Sequence, residues 1–385
     1  MKYFKILLLT LLLTIVIPVR VLADENVVPN AQNAILVEVD TGTIIYEKAK
    51  DERVSIASLT KMMGLILIFE RIYNKTLKYD DKVTASANAS GMGGSQIWLE
   101  TGEVMSVSDL LKGIIMASAN DGIVAMAEKV AGTEENFVKL MNERAKELGL
   151  KNTNFVNCTG LDEKNHYSTA YDLSIIAREL MKYPDVFKYT TNYEDYLRVN
   201  TENKFWLVNT NKLIKTYNGA DGLKTGMTDD AGYCMAVTAK RDGMRLLAIV
   251  LGEKEGKVRN KETANLLDYG FNLYEVLTIK KKGEKVGTTS LDKAKEKNIN
   301  IILEEDVTIL RKKGSPNEDV TTELQLNKLK LPIKKNERIG ILLIRNENNE
   351  IINKVSVVCD NDIKKTNFFE LWLTLIKDVL TGSII

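Results

Sequence analysis

The chain has 385 residues, enough for two domains, with a net charge of +1 and 44% hydrophobic residues, the balance of an ordinary globular protein. That near-neutral charge, with no basic stripe carrying interleaved aromatics, excludes a nucleic-acid partner. Cys158, Cys234 and Cys359 form no closely spaced pair, which argues against a disulfide scaffold while leaving room for a single bridge in an exported chain, and with His166 as the single histidine a histidine-rich zinc site is excluded.

At the N-terminus, Lys2 and Lys5 precede an apolar run from Ile6 to Val19, then Val21-Leu22-Ala23 and acidic Asp24-Glu25. This pattern reads as an export signal cut after Ala23, which puts the mature protein outside the cytoplasm. Ala34–Val39 and Thr43–Tyr46 flank Asp40-Thr41-Gly42 and predict a hairpin.

Ser55 to Met63 then leads into an apolar segment ending at Phe69, with Met62, Leu65, Ile66 and Phe69 at helical spacing. Ser58 and Lys61 are three residues apart, which places a hydroxyl and an amine on one face of a helix. A serine needs a neighbour to take its proton, and a lysine serves only when burial or a second cation lowers its pKa.

Apolar periodicity predicts helices over Val107–Met116, Gly122–Ala131, Glu134–Leu148 and Ala170–Met181, which together make a helical lobe. The polar break Ser118-Ala119-Asn120-Asp121 separates the first two and also suits a helix cap. A strand-rich return follows, with Lys224-Thr225-Gly226, then Tyr233–Thr238 and Arg245–Leu251 joined by an Asp242-Gly243 turn. A helix from about residue 262 to 274 closes this unit. Beyond residue 277, short β-branched runs at 307–310, 339–344 and 354–358 read as a separate small β-domain. Phe368 to Leu380 reads as an amphipathic helix with Phe368, Trp372, Leu375 and Ile376 on its apolar face, suited to lying in a membrane interface or to docking on the β-domain.

Ser58-x-x-Lys61, Ser118-x-Asn120 and Lys224-Thr225-Gly226, in that order, resemble the serine active site of penicillin-binding proteins and β-lactamases. The flanks Gly160-Leu161-Asp162, Ser168-Thr169-Ala170 and Ala231-Gly232-Tyr233 are similar to those of the low-molecular-mass D-alanyl-D-alanine carboxypeptidases over residues 30–275. The resemblance implies an α+β fold, with an antiparallel sheet, flanking helices and an all-helical lobe in the catalytic domain, followed by a small all-β domain and the terminal amphipathic helix. The expected divisions are a signal peptide at 1–23, a catalytic domain at 24–277, a β-domain at 278–362 and a possible membrane anchor at 366–385.

It further implies a peptidoglycan stem peptide ending in D-Ala-D-Ala as substrate, acylation by β-lactam antibiotics, no metal or cofactor, and a site on the outer face of the cytoplasmic membrane or in the cell wall. Ser58 is then the nucleophile, Lys61 its base, with Lys224 as the second cation that helps keep it neutral, and Ser118 a proton relay. Asn120 holds a substrate amide, Lys224, Thr225 of the Lys-Thr-Gly226 strand and Arg259 receive the terminal carboxylate, and the backbone N–H groups of Ser58 and Met227 form the oxyanion site. Met227 and Thr159 stand where some relatives carry histidine. A β-lactamase, a transpeptidase and a non-catalytic penicillin- or wall-binding protein share this scaffold; no Glu-x-x-Leu-Asn loop precedes the Lys-Thr-Gly strand, and the extra β-domain favours the carboxypeptidase.

Overall fold

In the computed structural model, the described residues are 26–296, 298–316, 319–366, 372 and 376. The export signal expected at 1–23 lies outside them, as does nearly all of the helix expected at 368–380.

The N-terminal hairpin is β1 (Asn33–Glu38) and β2 (Ile44–Lys48). Two small hairpins decorate the helical lobe and its neighbourhood, β3 (Lys82–Thr84) with β4 (Val104–Ser106), and β5 (Glu194–Leu197) with β6 (Phe205–Val208). The return strands are β7 (Ala220–Thr228), β8 (Gly232–Arg241) and β9 (Met244–Glu253). They join the first hairpin in an antiparallel sheet of order β2-β1-β9-β8-β7, so β1 closes against β9, the last of this sheet's strands in chain order.

Both faces of this sheet are buried, which explains why its central strands read as continuous apolar runs. Side chains alternate between faces with a period of two. Leu247, Ile249 and Leu251 of β9 enter the core shared with the helices, whereas Leu246, Ala248 and Val250 enter a second core against the Gly256–Leu273 helix.

The Lys61–Tyr73 helix is buried from Lys61 through Phe69, on every face rather than along one stripe. It is central to the first core, packed with the Asn120–Ala131, Glu134–Glu147 and Ala170–Met181 helices. The Val107–Met116 and Ala170–Met181 helices begin and end where their periodicity predicts. The last helix of the unit starts at Gly256, six residues before the expected start at 262, because Val258 is the one apolar side chain before 262 and makes no repeat to mark it.

From Tyr274 to Cys359 the described secondary structure is all β. Strand β10 (Tyr274–Lys280) follows the helix directly and pairs with β13 (Val307–Lys312) after β11 (Lys285–Thr289) and β12 (Ile299–Leu303). A second sheet has the order β11-β12-β16-β15-β14, completed by β14 (Thr321–Leu326), β15 (Arg338–Arg345) and β16 (Ile351–Cys359). Ile299, Ile301, Leu342, Ile344, Val355 and Val357 fill its own core.

Candidate active site

Ser58 lies in a 3-10 turn, Ala57–Thr60, immediately before the Lys61–Tyr73 helix, rather than within an α-helix. The pair still meets: Lys61 Nζ donates to Ser58 Oγ at 2.8 Å. The same ammonium or amine donates to Asn120 Oδ1 and to the Thr159 carbonyl, both at 2.6 Å. Lys61 is fully buried. Burial holds its pKa down to about 7, against the milder opposing pull of Asp121. Burial, with Glu134 alongside, pushes the Cys158 thiol well up, so Cys158 stays protonated and supplies no anion.

Lys224, on β7, is also buried, and its pKa is pushed well below the usual lysine value by burial first, then by Lys61 and Arg259. Burial is the largest cause for both lysines, and Lys224 stands as a second positive group close to Lys61. Lys224 beside Arg259 in a buried pocket favours a bound carboxylate, whose charge would stabilise the protonated form of Lys224. Lys224 Nζ donates to the Thr225 carbonyl at 2.9 Å, and Thr225 Oγ1 donates to Thr210 Oγ1 at 2.7 Å.

Arg259 completes the positive corner from the Gly256–Leu273 helix. Its guanidinium is held by Asn260 Oδ1 at 2.8 Å and by the Cys234 carbonyl at 3.4 Å.

The Ser118-Ala119-Asn120-Asp121 break makes no side-chain cap on the helix it precedes. Its side chains serve tertiary contacts instead. Asn120 Nδ2 donates to the Gly93 carbonyl at 2.7 Å while Oδ1 accepts from Lys61. Asp121 accepts the Ile97 and Leu99 amides at 3.0–3.1 Å. Ser118 is buried with φ of 63°, a left-handed value unusual for serine, and its Oγ has no hydrogen-bond partner among the described residues. A strained, unpartnered hydroxyl two residues from Asn120 is a group held ready for another partner.

Two glycines allow the turn to close. A Cβ on Gly226 would lie 2.9 Å from Ala57 Cβ and 3.0 Å from the Ser58 nitrogen, so the Lys-Thr-Gly strand approaches the serine backbone as only glycine permits. Gly160 packs still more tightly on the Ala57 carbonyl. Met227, next along β7, has an exposed side chain, consistent with a contribution through its backbone alone.

Several members of this site carry no sequence motif. The Thr159 carbonyl, an acceptor for Lys61, is one. His166 is another: Val156 N donates to its Nδ1 at 3.1 Å, which leaves Nε2–H to donate to Thr60 Oγ1 at 2.8 Å. Thr60 Oγ1 in turn donates to the Ala57 carbonyl at 2.8 Å. Burial holds His166 down to about 4, so at neutral pH it is an uncharged brace for the Ser58 turn. Among the described residues no group of three or more His, Cys, Asp or Glu is placed to hold a metal ion.

A buried Ser-x-x-Lys pair facing a Ser-x-Asn break and a Lys-Thr-Gly strand, between a two-faced sheet and a helical lobe, defines the penicillin-binding class of serine proteins. Residues 22–255 match the D-alanyl-D-alanine carboxypeptidase family and residues 274–365 match the penicillin-binding protein 5 C-terminal domain. The chain belongs to the D-alanyl-D-alanine carboxypeptidase family of low-molecular-mass penicillin-binding proteins.

It is 47% identical to D-alanyl-D-alanine carboxypeptidase DacF of Bacillus subtilis over 88% of this chain and 87% of that one. Penicillin-binding protein 5 of Haemophilus influenzae shares its fold with a TM-score of 0.68 and 30% identity, over 87% of this chain and 98% of that one. Penicillin-binding protein D2 of Listeria monocytogenes, solved with ampicillin bound, matches with a TM-score of 0.57 and 34% identity over 63% of this chain and 98% of that one.

Proposed function

We propose that this chain removes the terminal D-alanine from peptidoglycan stem pentapeptides through an acyl-enzyme on Ser58, and that penicillins acylate the same hydroxyl. The observation that carries this reading is Lys61 Nζ, fully buried, held near neutrality and 2.8 Å from Ser58 Oγ.

In this reading Ser58 Oγ attacks the carbonyl of the penultimate D-alanine as its proton passes to Lys61. The Ser58 and Met227 N–H groups receive the oxyanion, which the close approach of Gly226 to the Ser58 backbone supports. Ser118 passes a proton to the departing amine, the C–N bond breaks, and D-alanine leaves. Water then attacks the ester and releases the shortened peptide and Ser58. Lys224, Thr225 and Arg259 receive the substrate's terminal carboxylate. Asn120 orients Lys61, and the second lone pair of its Oδ1 accepts a substrate amide N–H.

Residues 1–23 serve as the export signal, 24–277 as the catalytic unit, 278–362 as a β-unit, and 366–385 as a helix lying on the outer face of the cytoplasmic membrane. The charged n-region with Ala23 and the apolar face of Phe368, Trp372 and Leu375 support the two ends of that division. No helix among the described residues is long and apolar enough to cross a membrane.

The test is incubation with diacyl-Lys-D-Ala-D-Ala and assay of free D-alanine. Release by the native chain and none by Ser58→Ala is expected; no release by the native chain would sink the reading. Retention on membranes of a chain ending at Asp362 would overturn the anchor.

A further inference from the structure

Trp98 is 67% exposed and has φ of 58°, a left-handed conformation costly for a residue with a bulky side chain. Its neighbours hold it there. The Ile97 and Leu99 amides donate to Asp121, and Arg198 donates to the Ile97 carbonyl at 3.0 Å and the Trp98 carbonyl at 3.3 Å. Arg198 is itself left-handed, with φ of 53°, and is locked by a two-pronged ion pair to Glu103 at 2.6 and 2.9 Å. Two strained residues, one buried carboxylate and one ion pair thus serve to present a single indole to solvent.

That indole borders a cleft of about 800 Å³, lined also by Phe205, Lys82, Glu100 and Asp109. Aromatic faces beside carboxylates and an amine suit one chemistry well. The C–H face of a pyranose stacks on an aromatic ring, while its hydroxyl and acetamido groups take hydrogen bonds from the flanking polar side chains. An apolar peptide or a lipid would leave those charges unpaired.

The cleft is tied to the site. Gly93 and Ser95, on the same strap as Trp98, bind Asn120, the residue that holds Lys61. From Ser95 to Trp98 is at most about 10 Å of chain, so the indole lies on the same short segment that touches Asn120. We propose that Trp98 and its cleft bind the amino-sugar strand to which the stem peptide is attached, making polymeric peptidoglycan a better substrate than free peptide. This inference rests on the function proposed above.

The test uses the full chain with Trp98→Ala and Trp98→Phe. D-alanine release is measured from a soluble pentapeptide and from un-cross-linked polymeric peptidoglycan, and calorimetry measures binding of peptide-free GlcNAc–MurNAc oligosaccharide. Labelled penicillin confirms that each variant is folded. Trp98→Ala should lower kcat/KM on the polymer and oligosaccharide affinity each by about tenfold, with the soluble peptide unaffected and Trp98→Phe largely restoring both. Equal losses on both substrates, or no oligosaccharide binding by the native chain, would overturn the inference. Trp98-dependent oligosaccharide binding without D-alanine release from either substrate would support it while removing the carboxypeptidase reading.

Discussion

The Cα of Gly226 faces the backbone of Ser58 so closely that a methyl group there would stand 3.0 Å from the Ser58 nitrogen, with Ala57 Cβ at 2.9 Å and the Ile56 carbonyl at 3.2 Å. Two of the three nearest atoms are backbone and cannot swing aside. Gly226→Ala should therefore move the serine turn or the strand by a few tenths of an ångström and misalign nucleophile and oxyanion donors. Penicillin acylation is expected to fall by about 10²-fold with the fold intact by circular dichroism. A native acylation rate in this variant would show that strand and turn do not act together.

Lys61, held to about 7 by burial, gains its neutral form as pH rises through that value. Only the neutral amine accepts the Ser58 proton, so the second-order rate of penicillin acylation should climb up to about tenfold per pH unit below about 7 and level off above it. Lys61→Arg keeps a cationic hydrogen-bond donor but cannot be neutral, and should lose about 10³-fold. A flat profile between pH 5 and 8 would place the base elsewhere.

Ser118 Oγ is buried without a partner, so Ser118→Ala removes no hydrogen bond. Thermal stability should change little, by within about 1 kcal/mol, while D-alanine release falls by about 10²-fold through loss of the proton path to the leaving amine. A large drop in melting temperature would instead identify Ser118 as a structural serine.

His166 is held to about 4 in the folded protein, below its unfolded value of about 6.5. Between those values the unfolded chain binds a proton that the folded chain does not, so unfolding becomes easier as pH falls from about 6.5 to about 4. The loss sums to about 3 kcal/mol, and is absent above pH 6.5. His166→Gln keeps a donor toward Thr60 and should flatten this part of the stability curve. Urea melts of both proteins at pH 7 and 4.5 measure the difference; an unchanged slope would assign the acid sensitivity to other groups.

Much of this molecule is determined by local sequence. The Val107–Met116 and Ala170–Met181 helices follow from apolar repeats with a polar residue at each start, and Ser106 and Thr169 do cap them. The Ser58–Lys61 pair is a matter of three residues of chain, and its spacing brings amine to hydroxyl even though Ser58 occupies a 3-10 turn. The Asp242-Gly243 turn likewise joins β8 to β9 through a residue pair suited to left-handed backbone.

Only the tertiary structure decided what makes Lys61 usable. Its two strongest acceptors, Asn120 Oδ1 and the Thr159 carbonyl, lie 59 and 98 residues away, and a backbone carbonyl has no side-chain signature by which a sequence can announce it. The roles of Gly160 and Gly226 as points of backbone contact were hidden for the same reason, since a glycine's close approach is visible only from the atoms it approaches. Desolvation belongs to the folded state too: a lysine titrates near neutrality because a sheet, a helix and a loop together exclude water from it, and no one of those elements does so alone.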